Sequence, residues 1–184
     1  MEDVKMKNSI QIKNALRNQF KEGTSKMAKR ICYGYVQDEN GNLIIDKGKA
    51  EIIKMVFDSY LAGFSLGQIS DKLYQLNIKS PTGKDKWNRE AIDKLLSNEK
   101  YIGAVILQKT VSGGGVQVVN SGFVDKYLTI NSHPAIIPVE VFKNVQEEKL
   151  KRTRKTKYEH NSINDILSDI SLICNNGNNC YTSN

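Results

Sequence analysis

Six cations in nine residues, Lys149 to Lys157 (KLKRTRKTK), are the densest chemistry in this sequence. No acid interrupts them. Residues 1–30 hold eight Lys or Arg against three Asp or Glu, while residues 31–148 are near neutral, with 13 against 14. Residues 158–184 carry three acids and no Lys or Arg. The formal charge of +7 therefore sits in two segments that flank a neutral body. Ammonium and guanidinium groups placed this way suit a polyanion, because each neutralised phosphate releases condensed counterions. A solvated helix face is the plain alternative. Membrane binding needs large apolar side chains opposite the charges, and residues 149–157 offer only Leu150. A second candidate is Asn88-Arg89, at the start of a predicted helix, since Arg pairs with guanine and Asn with adenine.

No catalytic constellation assembles from the remaining reactive residues. His133 and His160 are isolated and are expected at the surface, and Cys32 is expected to be a small packed or exposed residue. Cys174 and Cys180 have no nearby Cys or His to complete a zinc site. Gly113-Gly114-Gly115 lacks the helix that a phosphate-cradling loop needs. No metal and no cofactor are expected. With 39% hydrophobic and 26% charged residues, the chain has enough apolar material for a core. It has no run of about 18 apolar residues, no apolar centre in Met1–Ile10 and few cysteines, so a soluble, cytoplasmic chain is expected.

The elements that must position these groups follow from periodicity. Residues 9–22 read as a helix with a thin stripe of Ile12, Leu16 and Phe20, capped by Ser9 and ended by Gly23. A polar linker over 24–33 leads to a hairpin turning at Asn40-Gly41. Residues 47–62 place Ile52, Ile53, Val56, Phe57 and Tyr60 on one broad helical face. Ser65 caps a second helix with Leu66, Ile69, Leu73 and Leu76 inward. After a loop over 77–87, Asn88 caps a third, with Ile92, Leu95 and Leu96 inward and Arg89, Glu90, Asp93, Lys94 and Ser97 outward. The pair suggests a helix-turn-helix variant with a long connection. Three β-prone runs follow, at 103–111, 115–121 and 123–131. Pro138 then opens a long helix packed by Val141, Phe142 and Val145, which becomes purely basic beyond Leu150. The expected fold class is α+β: a small helical core with a helix-turn-helix-like unit, an N-terminal hairpin and a short antiparallel sheet, flanked by basic helices.

From Lys29 to Lys151 the sequence resembles the recombinase domain of large serine recombinases, the DNA integrases and resolvases of bacteria and phages. The matching residues run in order. They are Tyr33-Gly34-Tyr35; Asp46; Ala50-Glu51-Ile52-Ile53 through Phe57, Tyr60 and Gly63; Ser65, Ile69, Leu73 and Asn77-Ile78; and Pro81-Thr82-Gly83 and Trp87. Ile92, Leu95-Leu96 and Asn98 to Gly103 follow, then His133 to Ile137, Val141-Phe142 and Val145-Gln146. The resemblance implies three parts: 1–28 as the end of a linker helix from a catalytic domain, 29–157 as the DNA-binding domain, and 158–184 as a flexible tail. In that family a catalytic serine in a Tyr-x-Arg-x-Ser setting lies upstream, and no such motif occurs here. The chain is therefore expected to be an excised piece, not itself an enzyme, with Met1 an artificial start. Leu167 to Gly177 resembles the opening of the family's zinc ribbon, reduced to a single Cys174.

The implied partner is double-stranded DNA at an attachment site, bound by a monomer whose full-length parent would form a dimer or tetramer, with no membrane. Lys21, Lys26 and Arg30, with Lys13, Arg17 and Lys29, are expected along the backbone or minor groove. Lys79, Lys84, Lys86, Asn88, Arg89 and Lys94 are expected at the major groove. Lys151, Arg152, Arg154 and Lys155, with Lys149 and Lys157, are expected on the far backbone. Trp87 is expected to anchor the core. A generic or RNA-binding module, and a protein–protein interaction domain using the apolar strands, are the alternatives.

Overall fold

The computed structural model describes residues 2–22, 25–113, 115–153 and 181–183. Helix α1 (Glu2–Lys21) starts seven residues earlier than expected and is held at its C-terminal end. Of the predicted stripe only Phe20 is buried, against Tyr127 at 5.9 Å between ring centroids. Ile12 and Leu16 remain exposed. The expected linker is instead pinned: Ser25 and Ala28 are buried, and the Lys100 ammonium donates to the carbonyls of Ala28 and Arg30.

Strands β1 (Tyr35–Gln37) and β2 (Leu43–Ile45) form the first hairpin, with Tyr35 opposite Ile45. Its turn is closed by Asp38, whose carboxylate accepts the N–H groups of Asn40 and Asn42. Gly41 alone supplies the positive φ, at 72°.

The core is helical. In α2 (Lys47–Leu61) the Asp46 carboxylate caps the first turn by accepting from the Lys49 N–H at 3.1 Å. Ile53, Val56, Phe57 and Tyr60 are buried, as their spacing predicts. In α3 (Leu66–Gln75) Ser65 and Gln68 close a capping box, the Ser65 hydroxyl accepting from the Gln68 N–H and the Gln68 amide oxygen from the Ser65 N–H. Ile69 and Leu73 are buried, but Leu76 is exposed because the helix has already ended there. In α4 (Arg89–Leu96), Ile92, Leu95 and Leu96 are buried. After a short 3-10 turn (Glu99–Ile102) the chain enters strands. Gly103 must be glycine twice over: its φ is +76°, and a Cβ would lie 2.7 Å from the His133 carbonyl oxygen.

The expected strand over 103–111 breaks in two at Gln108, whose φ is 63°. Strand β3 (Val105–Leu107) pairs with β6 (Lys126–Thr129), and β4 (Thr110–Gly113) with β5 (Val116–Val119). Buried Asn120 ties the base of the second hairpin. Its amide N–H groups donate to the carbonyls of Gln108 and Val124, and its oxygen accepts from Gly122 and Val124. Helix α5 (Val139–Arg152) follows Pro138 and packs Phe142 and Val145 against α2 and α4. Strand β7 (Tyr181–Ser183) pairs antiparallel with β6, where the sequence alone leads one to expect a loose tail. His160, Cys174 and the ribbon-like stretch 167–177 lie outside the described residues.

His133 is buried, not at the surface as expected. Its Nε2–H donates to the Lys100 carbonyl at 2.7 Å, and the ring meets Tyr35 edge-on at 4.9 Å. Its Nδ1 is buried with no hydrogen-bond partner. Burial lowers the His133 pKa, since a proton on Nδ1 would be an unpaired buried donor.

Candidate nucleic-acid interface

Helix α4 carries two unlike faces. Ile92, Leu95 and Leu96 lock its inner side among α2, α3 and α5, while Arg89, Glu90 and Lys94 stay exposed on the other. Its N-terminus is set by Asn88, whose side-chain oxygen accepts from the Ala91 N–H at 2.8 Å. A bidentate contact to adenine uses that oxygen as its acceptor, and the cap occupies one of the oxygen's two lone pairs.

The connection before α4 is fixed at both ends. Asn77 turns the chain out of α3 with φ 54°. The Trp87 indole N–H donates to the Ile78 carbonyl at 3.1 Å, and the Ser70 hydroxyl donates to the Trp87 carbonyl at 2.5 Å. Trp87 is buried with its ring perpendicular to that of Tyr33, 5.2 Å between centroids, as its anchoring role predicts. Between these anchors Ser80 and Lys84 close a tight turn, the Ser80 N–H donating to the Lys84 carbonyl at 2.8 Å. Pro81, Thr82, Lys79, Lys84 and Lys86 are exposed on this rigid loop.

The loop and helix cations are lightly held. Lys86 pairs with Asp71 at 2.7 Å, both side chains 58% exposed, and Lys79 stands 3.9 Å from Asp85. Lys94 pairs with Glu90 at 2.7 Å, and its hydrogen bond holds the Glu90 pKa down. Such exposed pairs contribute at most about 1 kcal/mol, so a stronger anion displaces them readily. Arg89 has no hydrogen bond or ion pair among the described residues, and its guanidinium lies over the first turn of α3 at Gly67. Two helix N-termini, each carrying partial positive charge, thus adjoin this cation.

The other expected cations divide. Lys21 lines a cleft of about 340 Å³ with Arg17, Asn14, Asn18 and Tyr127, while Lys26 and Arg30 are exposed on the pinned turn. Lys151 is exposed, 3.8 Å from Glu148. Arg154, Lys155 and Lys157 lie outside the described residues. Lys149 does not face outward as expected, while Arg152 stays exposed with its guanidinium held against the fold. The Lys149 side chain is 9% exposed; its ammonium meets the Asp93 carboxylate at 2.7 Å and the Ser97 hydroxyl at 2.5 Å. The Arg152 guanidinium lies 4.3 Å over the Tyr60 ring and donates to the carbonyls of Phe64 and Tyr60 at 2.8 and 3.0 Å, while pairing with Glu148 at 2.7 Å. It thereby braces the turn between α2 and α3, where the Tyr60 carbonyl also accepts the Gly63 N–H at 3.1 Å. The signal was present: Phe142, Val145, Gln146 and Lys149 continue one helical stripe at spacings of three and four. Gln146, fully buried, donates to the Leu96 carbonyl at 2.8 Å and closes the same seam.

Among the described residues no helix is long and apolar enough to cross a membrane. The family model described as Recombinase matches residues 47–152, more than half of the chain and the span from the start of α2 to the end of α5. Among solved structures, one described as the crystal structure of an LSR–DNA complex is similar over 68% of this chain, with a TM-score of 0.45 and 21% identity. The match covers 34% of that chain, so this sequence spans about a third of its length.

Proposed function

The chain belongs to the Recombinase family, and from that membership we propose that it is the duplex-DNA-binding part of a site-specific serine recombinase. It holds the enzyme on its attachment site; cleavage and rejoining belong to a catalytic domain whose Tyr-x-Arg-x-Ser motif these residues lack. The observation that carries this reading is the split face of α4. Its apolar side is locked in the core, while Arg89 and Lys94 stand exposed beside a rigid loop bearing Lys79, Lys84 and Lys86. In this reading Arg89 contacts base edges, and the loop lysines with Lys21, Lys26, Arg30 and Lys151 follow phosphates. Arg154 and Lys155 extend the phosphate contacts beyond α5. The protein binds as a monomer and makes no covalent adduct with DNA.

Titrating labelled duplex DNA and single-stranded RNA at rising salt tests this. Duplex affinity should fall by about 0.9 log unit per log unit of salt for each phosphate neutralised. Binding indifferent to salt, or RNA competing as well as duplex, rejects the reading.

A protein–protein role has one observation in its favour. Val116, Val119 and Phe123 on and beside the β4–β5 hairpin are 63%, 71% and 75% exposed. Sedimentation without DNA distinguishes it: a stable homodimer that ignores duplex supports this role instead.

A further inference from the structure

We propose that Gly67 is a specificity-determining position, the seat that orders the Arg89 guanidinium for base contact; this rests on the duplex-binding reading above. Gly67 is the second residue of α3 and has no positive φ that would require glycine. Helix initiation does not need it either, because the Ser65–Gln68 capping box already starts the helix. A glycine inside a helix is unfavourable relative to alanine. The local structure of α3 thus gives no reason for glycine here.

The neighbouring helix gives one. A Cβ at position 67 would stand 3.2 Å from Arg89 Nη2, 3.3 Å from Nε and 3.5 Å from Cζ. One edge of the guanidinium therefore lies so near that a methyl at 67 would push it by a few tenths of an ångström, and a larger side chain would take its place. Nothing else holds it: among the described residues Arg89 makes no ion pair or hydrogen bond, although Glu90 and Lys94 on the same helix pair with each other. Attraction does not explain the placement, since the first turn of a helix repels cations. The seat is steric. Glycine leaves open the rotamer that lays the guanidinium over the first turn of α3, and a large side chain at 67 closes it.

Gly67→Ala and Gly67→Leu test the seat, each alone and combined with Arg89→Ala. The reference ligand is the tightest duplex selected from a random pool; the comparison ligand is random duplex. Both variants should fold with melting temperatures at or above wild type, since the flexible guanidinium gives way and both residues favour helix. Affinity for random duplex should stay within about two-fold. The ratio of selected to random affinity should fall modestly for Gly67→Ala. For Gly67→Leu it should approach the Arg89→Ala loss, on the order of 5- to 150-fold. In the Arg89→Ala background neither substitution should lower the ratio further. An unchanged ratio in Gly67→Leu overturns the inference, as does an equal drop with Arg89 absent, which would mean that leucine itself blocks the DNA.

A readout without DNA separates the seat from the function. Nitrogen-15 relaxation at Arg89 Nε should show an ordered side chain in wild type and a mobile one in Gly67→Leu. Equal mobility overturns the seat. Wild-type protein that binds no duplex overturns the duplex reading and this inference together, whereas equal discrimination by wild type and Gly67→Leu overturns this inference alone.

Discussion

Two cationic regions of this molecule have different structural fates. Around the start of α4, the loop and helix cations are exposed and paired only with exposed carboxylates. At the end of α5, Lys149 turns inward and the exposed Arg152 is bound back onto the end of α2, so the two tie three helices together. A basic run is thus not one kind of feature. What decides is whether a cation falls on the apolar stripe of its helix. Lys149 lies four residues after buried Val145, so its head must find partners inside; Lys94 lies beside Leu95 on the opposite side and meets solvent.

The contrast can be broken most directly at Arg152. Replacing it with alanine removes a ring contact, an ion pair and two carbonyl hydrogen bonds, and should destabilise the fold by about 2–3 kcal/mol in urea melts. Random-duplex affinity of the folded fraction should barely change; a large drop in affinity with intact stability would place Arg152 on the DNA instead. Lys149→Met should act the same way but less, at about 1–2 kcal/mol, because the Asp93 it leaves behind is 44% exposed and can be rehydrated.

The loop supplies the converse. The double substitution Lys79→Gln and Lys84→Gln should change stability by less than about 0.5 kcal/mol. It should also lower the salt slope of duplex binding by about one for each phosphate that is no longer neutralised. A destabilised protein with an unchanged slope would make these lysines structural and erase the distinction between the regions.

The smallest effect concerns acid. His133 is held neutral in the fold by burial, whereas the unfolded chain takes up a proton near pH 6.5. Stability should be complete above about pH 6.5 and fall as pH drops below it, by at most about 1.4 kcal/mol per pH unit from this group, until the folded histidine is also protonated. His133→Gln should flatten that part of the profile. A profile identical to wild type would remove His133 as the cause.

The helical core was legible in the sequence, because apolar spacing at three and four residues and the side chains of Ser65 and Asn88 are local signals. The face of α4 that remains for a ligand followed from the same pattern. Long-range contacts decided the rest. The strand break at Gln108 depends on Asn120, twelve residues away, satisfying its carbonyl. His133 is buried because Tyr35 and the Lys100 carbonyl reach it from distant segments. Arg152 finds Tyr60 and Phe64 across the core, beyond any window of local periodicity.

Amide shift mapping by NMR with a duplex selected from a random pool tests the central claim most directly. The account predicts that the shifts concentrate at residues 79–94 and at the exposed cations of 17–30, sparing the β4–β5 hairpin. Shifts confined to residues 110–123, with α4 and its loop unmoved, would contradict it.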